Sequence, residues 1–436
     1  MIYIHSLWYE TSKINNFSAL DGNINTDVLI VGGGICGVLC AYFLKEAGVS
    51  YALVEGTTIG NGITKNTTAK ITLQHGLIYN DLIQNFSLNK AYQYLQANKL
   101  SLEKYKKICK SIDCDFEQKS AFTYSLDNRQ KIENEIKALE KLGYNAEFES
   151  EIPLPIKISG AVKITEQAQF HPLKFIREIS KELNIYENTF VTKIKNGVAF
   201  TKNGSIKAKK IIIATHFPFI NSHGFYFVKM YQHRSYVIAI ENAPNIEGMY
   251  VDEKQNGMSF RNYKNLMLVG GGDHKTGKQG GNYTELRNFI SKYYPKSKER
   301  YAWATQDCIT VDNIPYIGNY SKSTPNLYVA TGFNKWGMTS SMVAATILID
   351  MMLERKNDFS DVFSSTRSAF KPQLFTNLGE TLINFLTPTI KRCPHLGCAL
   401  KWNKAEHTWD CPCHGSRFKQ NGDLIDNPAM KGAKVE

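Results

Sequence analysis

The sequence predicts a mixed α/β and α+β fold: a nucleotide-type α/β domain, an antiparallel-sheet domain threaded into it, and a small β-rich tail. Three observations predict it. A short apolar strand (VLIV, 28–31) runs straight into a glycine-rich turn and a helix. β-like runs crowd residues 224–270, among them Tyr236 to Ile240 and Leu266 to Val269. Four of the nine cysteines fall after residue 392, close to histidines.

A chain of 436 residues has room for two or three cores. Its 43% hydrophobic and 21% charged residues describe a folded globular protein. The formal charge of +12 fits a lysine-rich surface or steering of anionic ligands and an acidic redox partner. No compact basic motif interleaved with aromatics points to nucleic acid. The amino terminus, MIYIHSLWYETSKINN, lacks the basic-then-apolar pattern of a secretory signal. No window supplies the ~20 apolar residues of a transmembrane segment. The nearest, Met338 to Leu353, carries Thr339, Ser340, Ser341 and Asp350 and reads as a buried helix. Nine cysteines in so long a chain are not a disulfide scaffold, so a cytoplasmic location is expected.

Along the chain, Ile35 to Ala47 reads as a helix stopped by Gly48, and Tyr51 to Val54 as a second strand ending at Glu55. Asn89 to Asp115 and Asp127 to Leu142 have the helical, charged pattern of an inserted cap. Pro172 suits the first turn of a helix reaching about Asn184. Strands are expected at 187–194, 198–201 and 209–214, and a last one at Asn326 to Ala330, followed by a helix from near Gly337. The expected organisation is a nucleotide domain in three pieces (1–87, 187–220 and 307–357), a cap and substrate domain in two (88–186 and 221–306), a helical linker (358–390) and the tail (391–436).

Gly32-Gly33-Gly34-Ile35-Cys36-Gly37 fits G-x-G-x-x-G. Gly32 permits the tight turn, Gly34 lets a pyrophosphate approach the backbone, and Gly37 lets helix and strand pack closely. The phosphates then meet the helix amino terminus at Ile35. Glu55, at the end of the second strand, can hydrogen-bond a ribose 2′-hydroxyl and disfavours a 2′-phosphate. A Rossmann-like dinucleotide site follows.

TDVLIVGGGICG with ALVEG, IIIATHFPF (211–219), DCITVDNIPYIGNY (307–320) and NLYVATGFNKWGMTSS (326–341) resemble the D-amino-acid oxidase-like FAD oxidoreductases, the group that includes glycine oxidase and sarcosine oxidase. The resemblance covers 26 to about 357. It implies FAD as the cofactor and TKNTTAKITLQHGLIY (64–79), with Thr68, beside the isoalloxazine. It also implies Val191 at the adenine, Ala214 and Gly332 near the cofactor, and backbone N–H groups of Gly337, Met338 and Thr339 toward the end of the flavin where negative charge develops. His75 is a catalytic or flavin-linking candidate, or else a histidine satisfied by neighbouring hydrogen bonds. Lys335 and Trp336 are candidates for contact with substrate or flavin. Arg261, Tyr263, His274 and Lys275 are further pocket candidates, each also readable as packing or surface.

In the tail, Cys393-x-His395, fifteen residues, then Cys411-x-x-His414 supplies two thiolates for one iron and two imidazoles for the other. That mixed ligation is the mark of a Rieske [2Fe–2S] centre. Four-ligand zinc is a competing reading that leaves the paired CPHLGC and CPCHGS loops unexplained. Resemblance to Rieske proteins implies a disulfide between Cys398 and Cys413 and a Ser416 hydroxyl that bonds a cluster sulfur. The tail departs from that pattern, because only LTPTIKR precedes the first ligand and most of the base half is missing. The expected activity is FAD-dependent dehydrogenation of a small-molecule amine or amino acid, with electrons passing to the cluster and on to an acceptor protein or a quinone. An oxidase using O2 with a degenerate tail, or a non-catalytic redox sensor or electron carrier, are the alternatives.

Overall fold

A computed structural model describes residues 5–368 and 372–435. The first four residues of the amino-terminal stretch, residues 369–371 of the expected linker and residue 436 lie outside the described residues. Three sheets organise the chain. The first has eight strands; its main path runs in the order Tyr316–Asn319, Leu327–Thr331, Ser205–Ile213, Ile24–Val31, Tyr51–Val54, Ile185–Tyr186, parallel except for the Tyr316–Asn319 edge, and the short strands Val198–Phe200 and Lys193–Lys195 join it antiparallel beside Ser205–Ile213. Parallel sheets are covered on both faces, which is why VLIV is apolar without alternation. Val28 and Ile30 pack with the helices Ile35–Glu46 and Gly337–Met352, while Leu29 and Val31 face a second core with Ile211, Ile213 and Val329. The apolar window at 338–353 is thus a buried helix. No helix among the described residues is long and apolar enough to cross a membrane.

The second sheet has nine strands. Its centre is the antiparallel array of Lys298–Thr310, Met230–Glu241, Leu266–Lys275, Ser259–Tyr263 and Gly248–Asp252. Two features differ from the sequence reading. Gly248–Asp252 pairs parallel with Glu117–Ser125, so the sheet is mixed. The region expected as a helical cap also supplies Glu117–Ser125 and Gly160–Gln169, because charged residues at the solvent end of EQKSAFTYS mask its buried half. The helix Arg129–Lys141 lies where its periodicity placed it, and Leu88–Cys109 starts as expected but ends short of the expected Asp115. The helix at Pro172 ends at Ile179, earlier than expected, and 187–192 is not one strand. Its backbone instead serves the neighbouring turn: Asn188 N–H donates to Thr57 O (2.7 Å) and Thr189 N–H to Glu55 O (2.8 Å).

The tail forms a four-stranded antiparallel sheet, Lys401–Asn403, Thr408–Asp410, Arg417–Phe418 and Leu424–Asp426. Its missing base is replaced by the larger body. Gln232, on the strand Met230–Glu241, donates from Nε2 to His414 O (2.7 Å) and Asn427 O (3.1 Å). Gln306 Nε2 donates to Gly415 O (2.9 Å), and Asn427 Nδ2 donates to Thr215 O (2.8 Å) and Phe217 O (2.7 Å). Gly415 has φ +80°, and a Cβ there would stand 2.5 Å from Gln232 Cβ, so only glycine permits this seating.

Glu406 locks the joint, pairing with Arg234 of the second sheet and with Arg417 of the tail (2.8 Å). Burial pushes the Glu406 carboxyl up, but Arg234 and Arg417 prevail and hold it at about 2. Removing one partner of a buried ion pair leaves the others uncompensated, so Glu406→Gln is expected to cost about 3–5 kcal/mol, read as a lowered unfolding midpoint. An unfolded glutamate titrates near about 4.3. The depressed group's contribution is therefore complete above that pH and fades as pH falls toward 2, and acid titration of the wild type should loosen the tail in that window.

Candidate cofactor and iron–sulfur sites

The glycine-rich turn is built by close approach. Gly32 has φ +111°, and a Cβ on Gly37 would stand 1.9 Å from Gly32 O. The helix thus rests directly on the turn, and its amino-terminal end opens into a cavity of about 1690 Å³. Ligand pockets of small molecules run roughly 300–1000 Å³, so this one has room for a dinucleotide and a substrate together. Glu55 stands at its rim, accepting from Gly33 N–H (2.7 Å) and Thr57 N–H (2.8 Å). Ile35 N–H is already bonded to Thr64 Oγ1 (3.0 Å).

Gly32, Gly34, Ile35, Glu55, Thr68, Val191, Ala214, Gly337 and Met338 all face the cavity. Gly37, Gly332 and Thr339 lie behind its wall. Gly332 sits at φ +71° against Thr310, where a Cβ would stand 2.2 Å from Cγ2, so it serves close packing. Thr339 is buried and bonded to His75 Nε2 (2.8 Å) and to Thr72 O (3.2 Å). The closing helix spans Gly337–Met352. Its first ladder bond among the turns that start it is Ser340 N–H to Trp336 O (3.1 Å), so the N–H groups of 337–339 precede the ladder.

His75 is a satisfied histidine. Nδ1 meets Tyr94 OH (2.6 Å), Nε2 meets Thr72 O (2.9 Å), and its ring stacks on Trp336 at 5.0 Å. Burial lowers its pKa to about 3, so the ring is neutral. Lys335 and Trp336 line the cavity, with Lys335 Nζ held by Gln255 O (2.8 Å) and Asp273 Oδ1 (3.1 Å).

The structure places the other four pocket candidates outside the cavity. Arg261 donates from Nη1 to Thr68 O (2.8 Å) and Ala69 O (2.9 Å), bracing the loop from behind. Tyr263 donates to Asp115 Oδ2 (2.6 Å). His274 bonds Tyr236 OH (2.9 Å), and Lys275 pairs with Glu380.

Sequence reasoning passed over two cavity groups, both inside segments it had singled out. Lys70 projects into the wall next to Thr68, with Thr68 Oγ1 at 3.1 Å and Ser259 Oγ at 3.4 Å, and no carboxylate partner among the described residues. Burial, and then the Arg261 charge, lower its pKa to about 7. Asp307 lines the same cavity, its pKa pushed up to about 6 by burial. Linear spacing carried no signal for either, because their direction is set by strand register. The third missed feature is that Glu406, Asp426 and Asn427 of the tail form part of the same cavity wall.

At the tail's ligand loops, the side chain of Cys411, and with it that of Ser416, holds the Cys393 thiol below its ordinary pKa against the opposing effect of burial. Ser416 Oγ accepts from Ala429 N–H (2.9 Å) as well. The His395 and His414 rings lie 4.9 Å apart. One nitrogen of each, His395 Nδ1 and His414 Nε2, is buried without a partner among the described residues, and a buried ring nitrogen with no hydrogen bond is a donor suited to a metal. His395 Nε2 meets Asn221 Oδ1 (3.0 Å), and Phe227 packs edge-on to both rings. Cys398 and Cys413 are joined as a disulfide with Cα atoms 6.7 Å apart. This removes both from ligation, although Cys398 and Cys413 cluster with Cys411. Two thiols and two imidazoles remain, a donor set that fits a Rieske centre.

The comparisons agree with this geometry. A family model described as FAD dependent oxidoreductase matches residues 27–351, and a Rieske [2Fe-2S] domain model matches residues 386–435. The chain is 35% identical over 492 residues to the Rieske 2Fe-2S iron–sulfur protein YhfW of Bacillus subtilis (strain 168), covering 98% of this chain and 96% of that one. Its tail is 44% identical over 43 residues to the cytochrome b6-f complex iron–sulfur subunit of Synechococcus sp. (strain JA-3-3Ab), 10% of this chain and 25% of that subunit. Among solved structures, glycine oxidase from Geobacillus kaustophilus is similar in fold with a TM-score of 0.67 at 18% identity, covering 79% of this chain and 99% of that one. L-proline dehydrogenase from P. horikoshii is similar at a TM-score of 0.67 and 18% identity, covering 80% and 98%.

Gly37→Ala cannot be accommodated without moving the turn, because the obstacle is the backbone oxygen of Gly32. The expected outcome is purified protein with at least about tenfold less bound flavin, measured by visible absorbance per chain; at about 1.4 kcal/mol per decade this is a modest demand on such a clash.

Proposed function

Because the chain belongs to the FAD-dependent oxidoreductase family and carries a Rieske [2Fe–2S] domain, we propose that it dehydrogenates an amino acid and passes the electrons internally to its own iron–sulfur centre. FAD would supply a two-electron acceptor and the cluster a one-electron acceptor of higher potential. The observation that carries this reading is the shared wall. The cavity that opens at the glycine-rich turn is bounded at its other side by Glu406, Asp426 and Asn427. From there Gln232 spans the remaining gap, donating to Asn427 O and to the carbonyl of the ligand residue His414.

Gly32, Gly34 and the amides at the start of Ile35–Glu46 would seat the pyrophosphate, with Glu55 toward the ribose and Val191 toward the adenine. The amides of 337–339 would face the ring system. Neutral His75 holds Trp336 and Thr339 in place for that end and moves no proton. Lys70 would hold the substrate carboxylate, since it is a cation in the cavity wall with only hydroxyl partners. Asp307, its pKa raised to about 6 by burial, would in its carboxylate form accept a proton from an amine. The paired Lys335 is the countercharge of Asp273.

A charge-assisted hydrogen bond contributes roughly 1.5–3 kcal/mol, so Lys70→Met should raise KM for an amino-acid substrate about 10–100-fold. An amine without a carboxylate should be little affected. The ammonium form is the binding form, so substrate affinity in the wild type should weaken as pH rises through about 7. For the electron route, anaerobic substrate should bleach the flavin and then bring up the reduced-cluster EPR signal, with Gln232→Leu slowing only the second phase. Bleaching with no cluster signal would sink the internal-transfer reading.

A further inference from the structure

The helix Pro372–Leu386 is mounted with its polar side inward. Asn377 Nδ2 donates to Val228 O (3.2 Å), Glu380 pairs with Lys275 and Lys278, and Asn384 O accepts from Ala399 N–H (3.0 Å). Its apolar side faces out: Leu382, Ile383, Phe385 and Leu386 are 51–68% exposed. Ile390, at 76%, extends the patch, and Leu396 carries it onto the ligand loop between His395 and Cys398. Amphipathic helices of globular proteins bury the apolar stripe. A contiguous exposed one marks a surface that docks on something.

Charge identifies the occupant. All five acids of residues 372–435 already pair with lysine or arginine. Lys391, a short loop beyond the helix and resting over the Trp409 ring, and Lys401, Lys404, Lys431 and Lys434 have no carboxylate partner among the described residues. The chain as a whole is +12. Exposed apolar side chains on one side of a helix, with surplus lysine and no free acid around them, complement an anionic lipid surface. We propose that this face seats on an anionic phospholipid bilayer, the helix lying in the headgroup plane and the His395 loop beside it.

The test is co-sedimentation of the full-length holoprotein with vesicles of phosphatidylglycerol and phosphatidylcholine. The expected result is binding that grows with the phosphatidylglycerol fraction, weakens in salt, and falls at least about tenfold in Leu382→Glu/Ile383→Glu with flavin and iron–sulfur absorbance retained. Ile390→Glu, on a connecting loop, is the second variant should the first lose its cofactors; it should weaken binding in the same direction. No binding at any composition, or binding that neither variant changes, overturns the proposal. So does light scattering that finds a stable wild-type dimer which the substitutions convert to monomer, because the face is then covered by a second copy.

Discussion

A buried carboxylate between two guanidinium groups belonging to different parts of the chain is the constraint around which this molecule is arranged. Glu406 can lie in the joint only while Arg234 and Arg417 both reach it, and the joint in turn holds the tail's carbonyls against Gln232 and Gln306. A Rieske segment too short to carry its own base thereby borrows one, a strand of the antiparallel sheet next door. The borrowed base does more than support. It places the tail's last strand and the residue after it, 424–427, into the wall of the cavity.

Two kinds of site meet across that wall, and they are built in contrasting ways. The glycine-rich end is made of backbone, from glycines that let one carbonyl touch a helix, with the amides of 337–339 preceding the ladder of their own helix. The iron–sulfur end is made of side chains, four donors held in two loops tied by Cys398 and Cys413. Backbone sites tolerate drift in neighbouring sequence, whereas donor sets do not. This fits a tail that matches cytochrome b6-f subunits at 44% while the body matches solved oxidases at 18%.

The parts legible in sequence were those whose physics is local. The strand–turn–helix at 28–46, the closing helix at Gly337, the long helices of the insert and the two ligand loops each follow from spacing within about twenty residues. What escaped was set by pairing at long range. The strand Glu117–Ser125 was hidden because its first half is charged, and the stretch 187–192 was misassigned because its amides serve the Glu55 turn and not a ladder. Lys70 and Asp307 were passed over for the same reason, since a strand residue shows its face only once its partners are known. Arg261 and Tyr263 illustrate the converse error. Their residue types suit a pocket, yet register turns them behind the wall.

Asn427 fastens to the carbonyls of Thr215 and Phe217, more than two hundred residues earlier. Any loosening of the tail therefore unfastens one side of the chamber against which it is tied.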